Sequence, residues 1–318
     1  MTAVAKIVLV LFIVAVLIYL LILWNFKTFF RRRKNVGKHD ADYLKKAKSS
    51  LDEDKYNRIL SGRKWLDETD HTEEWIKSED GLNLHARLYS GKNPKATFIL
   101  CHGYHSSGEQ DFAYTCEKYA SFGYNVLVID QRAHGKSDGK YICFGAKEKS
   151  DIINWCRHIN EKFGEDGKII LSGVSMGCTS VLLAACDKRL PPNVCGVVAD
   201  CGFRSPYEQF RHVLKENSKL PPTPILKISN IICKHRANFS FHEFDLCEEL
   251  KKIKIPVLFI HGESDDFVPC DNSIQNYAAC ASDKTLLIVP KAEHAMSSIV
   301  ETEKYERALT EFLESLNL

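Results

Sequence analysis

"LSGVSMGCTS", residues 171–180, sets two glycines around a serine in the pattern G-x-S-x-G, from Gly173 to Gly177. Glycine and serine are common turn residues, so these five positions alone admit two readings. Ser175 is either a nucleophile held on a sharp bend or a small residue in a glycine-rich turn. Its flanks favour the first. "KIILSG" (168–173) reads as a short buried strand and the run opening at Met176 as a helix, so Ser175 falls on the strand-to-helix turn. A tight turn of that kind lifts a hydroxyl above a sheet, beside the unpaired N–H groups and positive dipole end of a helix. A phosphate-binding loop would use the same architecture, but its Lys-Ser/Thr signature is missing. Ser172 and Ser180 lie off the apex.

Outward from this turn, short apolar runs alternate with helical segments. The runs are "ATFILC" (96–101), "NVLVID" (125–130), "VCGVVAD" (194–200), "PVLFIHG" (256–262) and "TLLIVP" (285–290). Helices are expected near 112–121, 146–162, 176–186, 246–253, 272–281 and 297–316. Continuous apolar strands separated by helices predict βαβ units and a mostly parallel sheet with helices on both faces. An Asp80-Gly81 turn, followed by alternating Leu82, Leu84, Ala86 and Leu88, predicts an antiparallel N-terminal hairpin. Residues 203–245 contain no strand; their double proline and apolar groups, including Phe210, Leu214, Leu220, Ile225, Leu226, Ile228 and Ile231 interleaved with Arg211, Lys215 and Lys219, predict two short helices forming a cap insertion.

A serine hydroxyl is a weak nucleophile that needs a base, and the base needs an orienting acid. His294, in "VPKAEHAMS", follows a late strand and precedes the final helix. The preceding strand leads into "HGESDDFVP", which offers Asp265 or Asp266 as the acid. An oxyanion requires two backbone donors. The N–H of Met176, directly after the serine, supplies one; the N–H of Tyr104 in "HGYHSSG" (102–108) is the choice for the other. His102 and His105 in that loop read as supports.

The 318 residues carry a formal net charge of +2, which gives no reason to expect a nucleic-acid partner. Twelve cysteines occur without a C-x-x-C pair, and several sit inside apolar runs. They read as free thiols of a reducing compartment, neither a metal site nor a disulfide framework. Ile7 to Trp24 contain no charge, and Lys27, Arg31, Arg32, Arg33 and Lys34 follow. This predicts a transmembrane helix over 5–26, with Trp24, Phe26, Phe29 and Phe30 near one interface, and the positive-inside rule puts the C-terminal bulk in the cytoplasm. Residues 27–72 read as a charged juxtamembrane linker, partly helical, ahead of a globular domain over 73–318.

"HGYHSSG", "DQRAHGKS" (130–137), "GVSMG", "HGESDDFVP" and "AEHAMS" together resemble the α/β-hydrolase superfamily, in its serine-aminopeptidase-like and esterase-like branch. The resemblance spans roughly 74–318 and implies an α/β-hydrolase fold. It assigns the acid to Asp265. It also implies acyl transfer to water through an acyl-enzyme by Ser175, Asp265 and His294, with no metal or organic cofactor. The pattern D-x-R-G-H-G-x-S departs at Ala133, where the family has glycine. The substrate expected is a small-molecule carboxylic ester, with a lipid or lysolipid in the same class. A serine peptidase and a non-catalytic hydrolase-fold binding protein are the alternatives. Oligomeric state is not legible.

Overall fold

The computed structural model describes residues 2–33, 36–92, 94–218 and 221–318; Lys34, Lys219 and Leu220 lie outside them. Eight strands form one sheet: β1 (Thr72–Lys77), β2 (Asn83–Tyr89), β3 (Ala96–Cys101), β4 (Asn125–Ile129), β5 (Lys168–Val174), β6 (Val194–Asp200), β7 (Val257–Gly262) and β8 (Lys284–Val289). Their order is β1-β2-β4-β3-β5-β6-β7-β8. β1–β2 and β2–β4 pair antiparallel, and the remaining neighbours pair parallel. β3, β4 and β7 are buried along their whole length, as strands covered on both faces must be. One apolar cluster, around Ile99, Leu127, Trp155, Leu171 and Phe259, fills one face; a second, around Phe98, Tyr119, Ile170, Leu258 and Leu309, fills the other. The fold is that of an α/β-hydrolase, with the antiparallel hairpin at one edge.

The crossovers match the expected helices closely. They are α5 (Ala113–Ser121), preceded by the single turn α4 (Gly108–Asp111), α6 (Glu148–Phe163), α7 (Met176–Ala185), α10 (Leu246–Glu249) with a 3-10 turn after it, and α11 (Asp271–Ala279). The expected last helix is two, α12 (Ser297–Val300) and α13 (Thr302–Ser315), interrupted at Glu301 where the backbone leaves helical angles. The segment 203–245 holds two helices, α8 (Pro206–Asn217) and α9 (Pro222–Ala237). Pro206 and Pro222 open them, at positions where a missing N–H costs nothing.

The first quarter of the chain packs on the rest: its span is followed by helices seated against the domain. α1 (Ala3–Phe30) is long and apolar enough to cross a membrane, a description that a membrane anchor and a signal sequence both meet. Its side chains are exposed on most of its length up to Leu21, but Ile22, Phe26 and Phe30 are buried among Phe144, Phe239, Phe241 and Cys233 of the cap side. Of the four aromatics expected at an interface, Phe26 and Phe30 are therefore inside the protein, while Trp24 and Phe29 are exposed. Past α1 the chain adds a β-bridge, Arg31 to Tyr141, and Ile142 N–H donates to Phe30 O at 2.9 Å. Residues expected as linker form α2 (Val36–Ser50) and α3 (Glu53–Glu68). Some of their apolar residues bury, Ile59 and Leu66 of α3 fully and Ala47 of α2 against Ile59 and Ile299, while Leu60 stays exposed.

Phe30 stacks on Phe26 and Phe241 and meets Phe144 and Phe210 edge-on. Truncating so buried a ring removes its transfer free energy and leaves a cavity, at a cost of about 3–5 kcal/mol. Phe30→Ala is expected to lower the unfolding midpoint of the full chain in detergent by several degrees. Phe29→Ala, at an exposed neighbouring position, should leave it unmoved.

Candidate active site

Ser175 sits between β5 and α7 with φ 55° and ψ −117°, outside the regions L-residues favour. Such a conformation costs on the order of 1–3 kcal/mol and persists only where the surroundings enforce it. Ser175 N–H donates to Asp200 O at 2.9 Å, tying the turn to the end of β6. The two glycines are required by close approach. A side chain at Gly177 would overlap the carbonyl of Cys101, and one at Gly173 would overlap the backbone of Gly177.

His294 enters from the loop after β8 and Asp265 from the loop after β7. Ser175 Oγ lies 2.9 Å from His294 Nε2, and His294 Nδ1 lies 2.6 Å from Asp265 Oδ2. Burial pushes the Asp265 carboxyl up, but hydrogen bonds from His261 and His294 and the N–H of Val268 outweigh it and hold it at about 2. The carboxylate is therefore acceptor-only, Nδ1–H donates to it, and Nε2 is left to accept from the Ser175 hydroxyl. Asp265 Oδ1 accepts from the N–H groups of Phe267 and Val268 at 3.0 and 2.8 Å. Asp266 is exposed, and among the described residues its carbonyl alone is engaged, by His212 of the cap. Of the two aspartates, it is Asp265 that meets the histidine.

Three residues that the sequence reading had not assigned support this arrangement. His261, fully buried on β7, places Nε2 3.1 Å from Asp265 Oδ2 and 2.8 Å from Val268 O. Both partners are acceptors, so Nε2 carries the proton, and Nδ1 accepts from Ser273 Oγ at 2.6 Å. Asp111 accepts from Gly103 N–H and from Ser106 Oγ, each at 2.6 Å, and so pins the loop 102–107. Asp200 is pushed up to about 7 by burial, which keeps a second full negative charge away from Asp265 below neutral pH. "FIHGESDD" held the one sequence signal, a histidine four residues before the acid; Asp111 and Asp200 carried none.

Tyr104 lies on the pinned loop and its N–H makes no hydrogen bond among the described residues. Met176 N–H is at the first position of α7, where no intrahelical acceptor exists. Gly103 brings the loop against the serine: a side chain there would lie 3.2 Å from Ser175 Cβ. His102 and His105 are supports in geometry. His102 Nδ1 is 2.8 Å from Gly103 O and its Nε2 accepts from Gln131 N–H, while His105 N–H donates to His134. Ala133 adopts φ 62°, the left-handed region that explains a glycine in the family pattern.

Cys201 Sγ, Asp265 and His294 offer atoms within 4.8 Å of one another, the spacing of a small metal site. Burial raises the Cys201 thiol well above its usual range, with Asp200 and Asp265 adding to it, and the facing atoms of Asp265 and His294 are already engaged with each other and with Ser175. All twelve cysteines are free.

An uncharacterized protein of Bacillus subtilis, YqkD, is 31% identical over 242 residues, which is 76% of this chain and 79% of the relative. A family model described as "Serine aminopeptidase, S33" matches residues 92–229. The chain belongs to the α/β-hydrolases. Within that superfamily it is similar to a proline iminopeptidase of Saccharolobus solfataricus, 24% identical and covering 78% of this chain and 95% of the relative. Among solved structures, the Pyrococcus furiosus esterase Pf2001 superposes on this α/β-hydrolase with a TM-score of 0.64 at 25% identity, covering 78% and 93% of the two chains. This α/β-hydrolase is thus esterase-like and aminopeptidase-like in its relatives.

Proposed function

We propose that the protein is a serine hydrolase that cleaves a carboxylic ester through an acyl-enzyme. The hydrogen-bonded series Ser175–His294–Asp265 is the observation that carries this reading. Ser175 Oγ attacks the ester carbonyl while His294 Nε2 takes its proton. The N–H groups of Met176 and Tyr104 receive the oxyanion. As the tetrahedral intermediate collapses, His294 returns the proton to the leaving alkoxide. A water then attacks the acyl-enzyme with His294 again as base, releasing the acid and restoring Ser175. Asp265 fixes the imidazole tautomer and stabilises the imidazolium formed in each half-reaction. The likeness to the esterase Pf2001 supports an ester; the likeness to a proline iminopeptidase supports an aminoacyl substrate as the second reading.

The reading also takes residues 5–26 as a single membrane span, 73–318 as the hydrolase domain with 203–245 as its cap, and the domain as cytoplasmic. The exposed apolar length of α1 and the basic residues after it support this topology. A lipid or lysolipid ester fits an enzyme held at a bilayer.

A fluorophosphonate probe tests the chemistry. The folded full chain is expected to be labelled at Ser175, and a panel of acyl esters, lysolipids and aminoacyl amides should show turnover of esters first. A folded chain that takes no label overturns the proposal.

A further inference from the structure

Where α1 enters the domain, three distant segments enclose a cavity of about 120 Å³. It is lined by Leu23, Phe26, Lys27 and Arg31 of the first segment, Lys140 and Tyr141 of the second, and Arg236 at the end of α9. Four of these seven residues are cations and none is an acid. None of the four takes part in an ion pair among the described residues, although the protein has acids enough to neutralise most of its basic residues. Lys140 Nζ does lie 5.3 Å over the Tyr141 ring, a weak contact that leaves its charge unspent. The C-terminal ends of α1 and α9 compensate part of the charge, roughly half an elementary charge each. About three of the four positive charges then remain without a counter-charge.

Position adds a second, independent observation. Trp24 is exposed at the end of the apolar run, and Lys27 follows three residues later, about 4.5 Å further along the axis. The polar layer of a bilayer occupies roughly 5–8 Å on each side of its hydrocarbon core. The cavity therefore opens at headgroup depth, with Leu23 and Phe26 as its apolar lining.

We propose that this cavity binds the phosphate group of an anionic phospholipid, held by Lys27, Arg31, Lys140 and Arg236. The site rests on α1 being a membrane span. Its acyl chains would lie along the exposed face of α1, and the bound lipid would fasten α9, hence the cap, to the membrane surface. Inorganic phosphate is the other source of the same chemistry.

The test uses the full chain in a neutral detergent, analysed by native mass spectrometry. The added ligands are dioctanoylphosphatidylglycerol, dioctanoylphosphatidylcholine and, separately, inorganic phosphate. The wild type is expected to retain phosphatidylglycerol in preference to phosphatidylcholine, and Lys140→Ala/Arg236→Ala to lose that retention at least tenfold. Both substituted side chains are exposed, so folding should survive, and an unchanged unfolding midpoint verifies it. Lys45→Ala/Lys48→Ala, on the exposed face of α2, is the control for general charge and should bind as wild type does. Displacement of the lipid by equimolar phosphate would uphold the cavity as a phosphate site and assign it the free ion. Equal retention by wild type and Lys140→Ala/Arg236→Ala, or an equal loss in the α2 control, overturns the proposal. Carbonate extraction of membranes reports on the span alone, so failure of the anchor and failure of the site are distinguishable.

Discussion

Replacing Asp265 by asparagine is expected to lower kcat about 10⁴-fold with KM nearly unchanged, the scale found when the acid of such a triad becomes an amide. The geometry says why. Asp265 Oδ1 accepts two backbone N–H groups, from Phe267 and Val268, and an amide must keep its oxygen there. Its NH₂ then takes the place of Oδ2 and faces His294 Nδ1 and His261 Nε2. A donor opposite Nδ1 forces the imidazole proton onto Nε2, where it can no longer accept from Ser175. His261, held by Val268 O and Ser273, cannot turn to relieve the clash of donors. The fold should persist, since the backbone bonds survive. Asp266→Asn, at an exposed position, serves as the comparison and should retain full activity. Steady-state ester hydrolysis decides it: an Asp265→Asn variant within tenfold of wild type would remove Asp265 from the reaction.

Ser175→Ala should reduce ester hydrolysis by roughly 10⁴–10⁶-fold and abolish fluorophosphonate labelling. Only Oγ and its bond to His294 are lost, and Cβ stays where Gly103 packs against it. Stability is expected to change by no more than about 1 kcal/mol. No nearby serine can substitute. Ser180 Oγ donates to Met176 O at 2.7 Å inside α7, and Ser172 is buried against Tyr119. Labelling of Ser175→Ala at the wild-type rate would transfer the nucleophile elsewhere and end the proposed mechanism.

Much of this was legible in the chain because the relevant physics is local. A parallel strand covered on both faces must be a continuous apolar run, so all six runs fall within a residue of the observed strands. G-x-S-x-G is local too, since its glycines answer to clashes one turn away and to the neighbouring strand. Other features depend on partners far along the chain. Asp111 matters through Gly103 N–H, and His261 through a carboxylate and a carbonyl beyond its own strand. Asp265 and Asp266 are adjacent and chemically identical, and only the bend of their loop separates a buried carboxylate from an exposed one. The segment 27–72 reads as a tether because its charged residues dominate; the few apolar residues that bury, such as Ile59 and Leu66, do so on a surface that no local pattern reveals.

The end of α1 has a consequence for how such a protein can be released or turned over. Tyr104 OH donates to Phe29 O at 2.8 Å and Arg32 binds the carbonyls of Gly135 and Ser137, so the helix end is seated on the loop that carries a proposed oxyanion donor. A protease that trims the chain just past Phe30 would carry away Ile22, Phe26 and Phe30 together with the apolar run. It would shed no active soluble enzyme; it would unseat the cap and that loop. On the proposed topology, cleavage just past Phe30 would thus act as an off-switch and release no working domain.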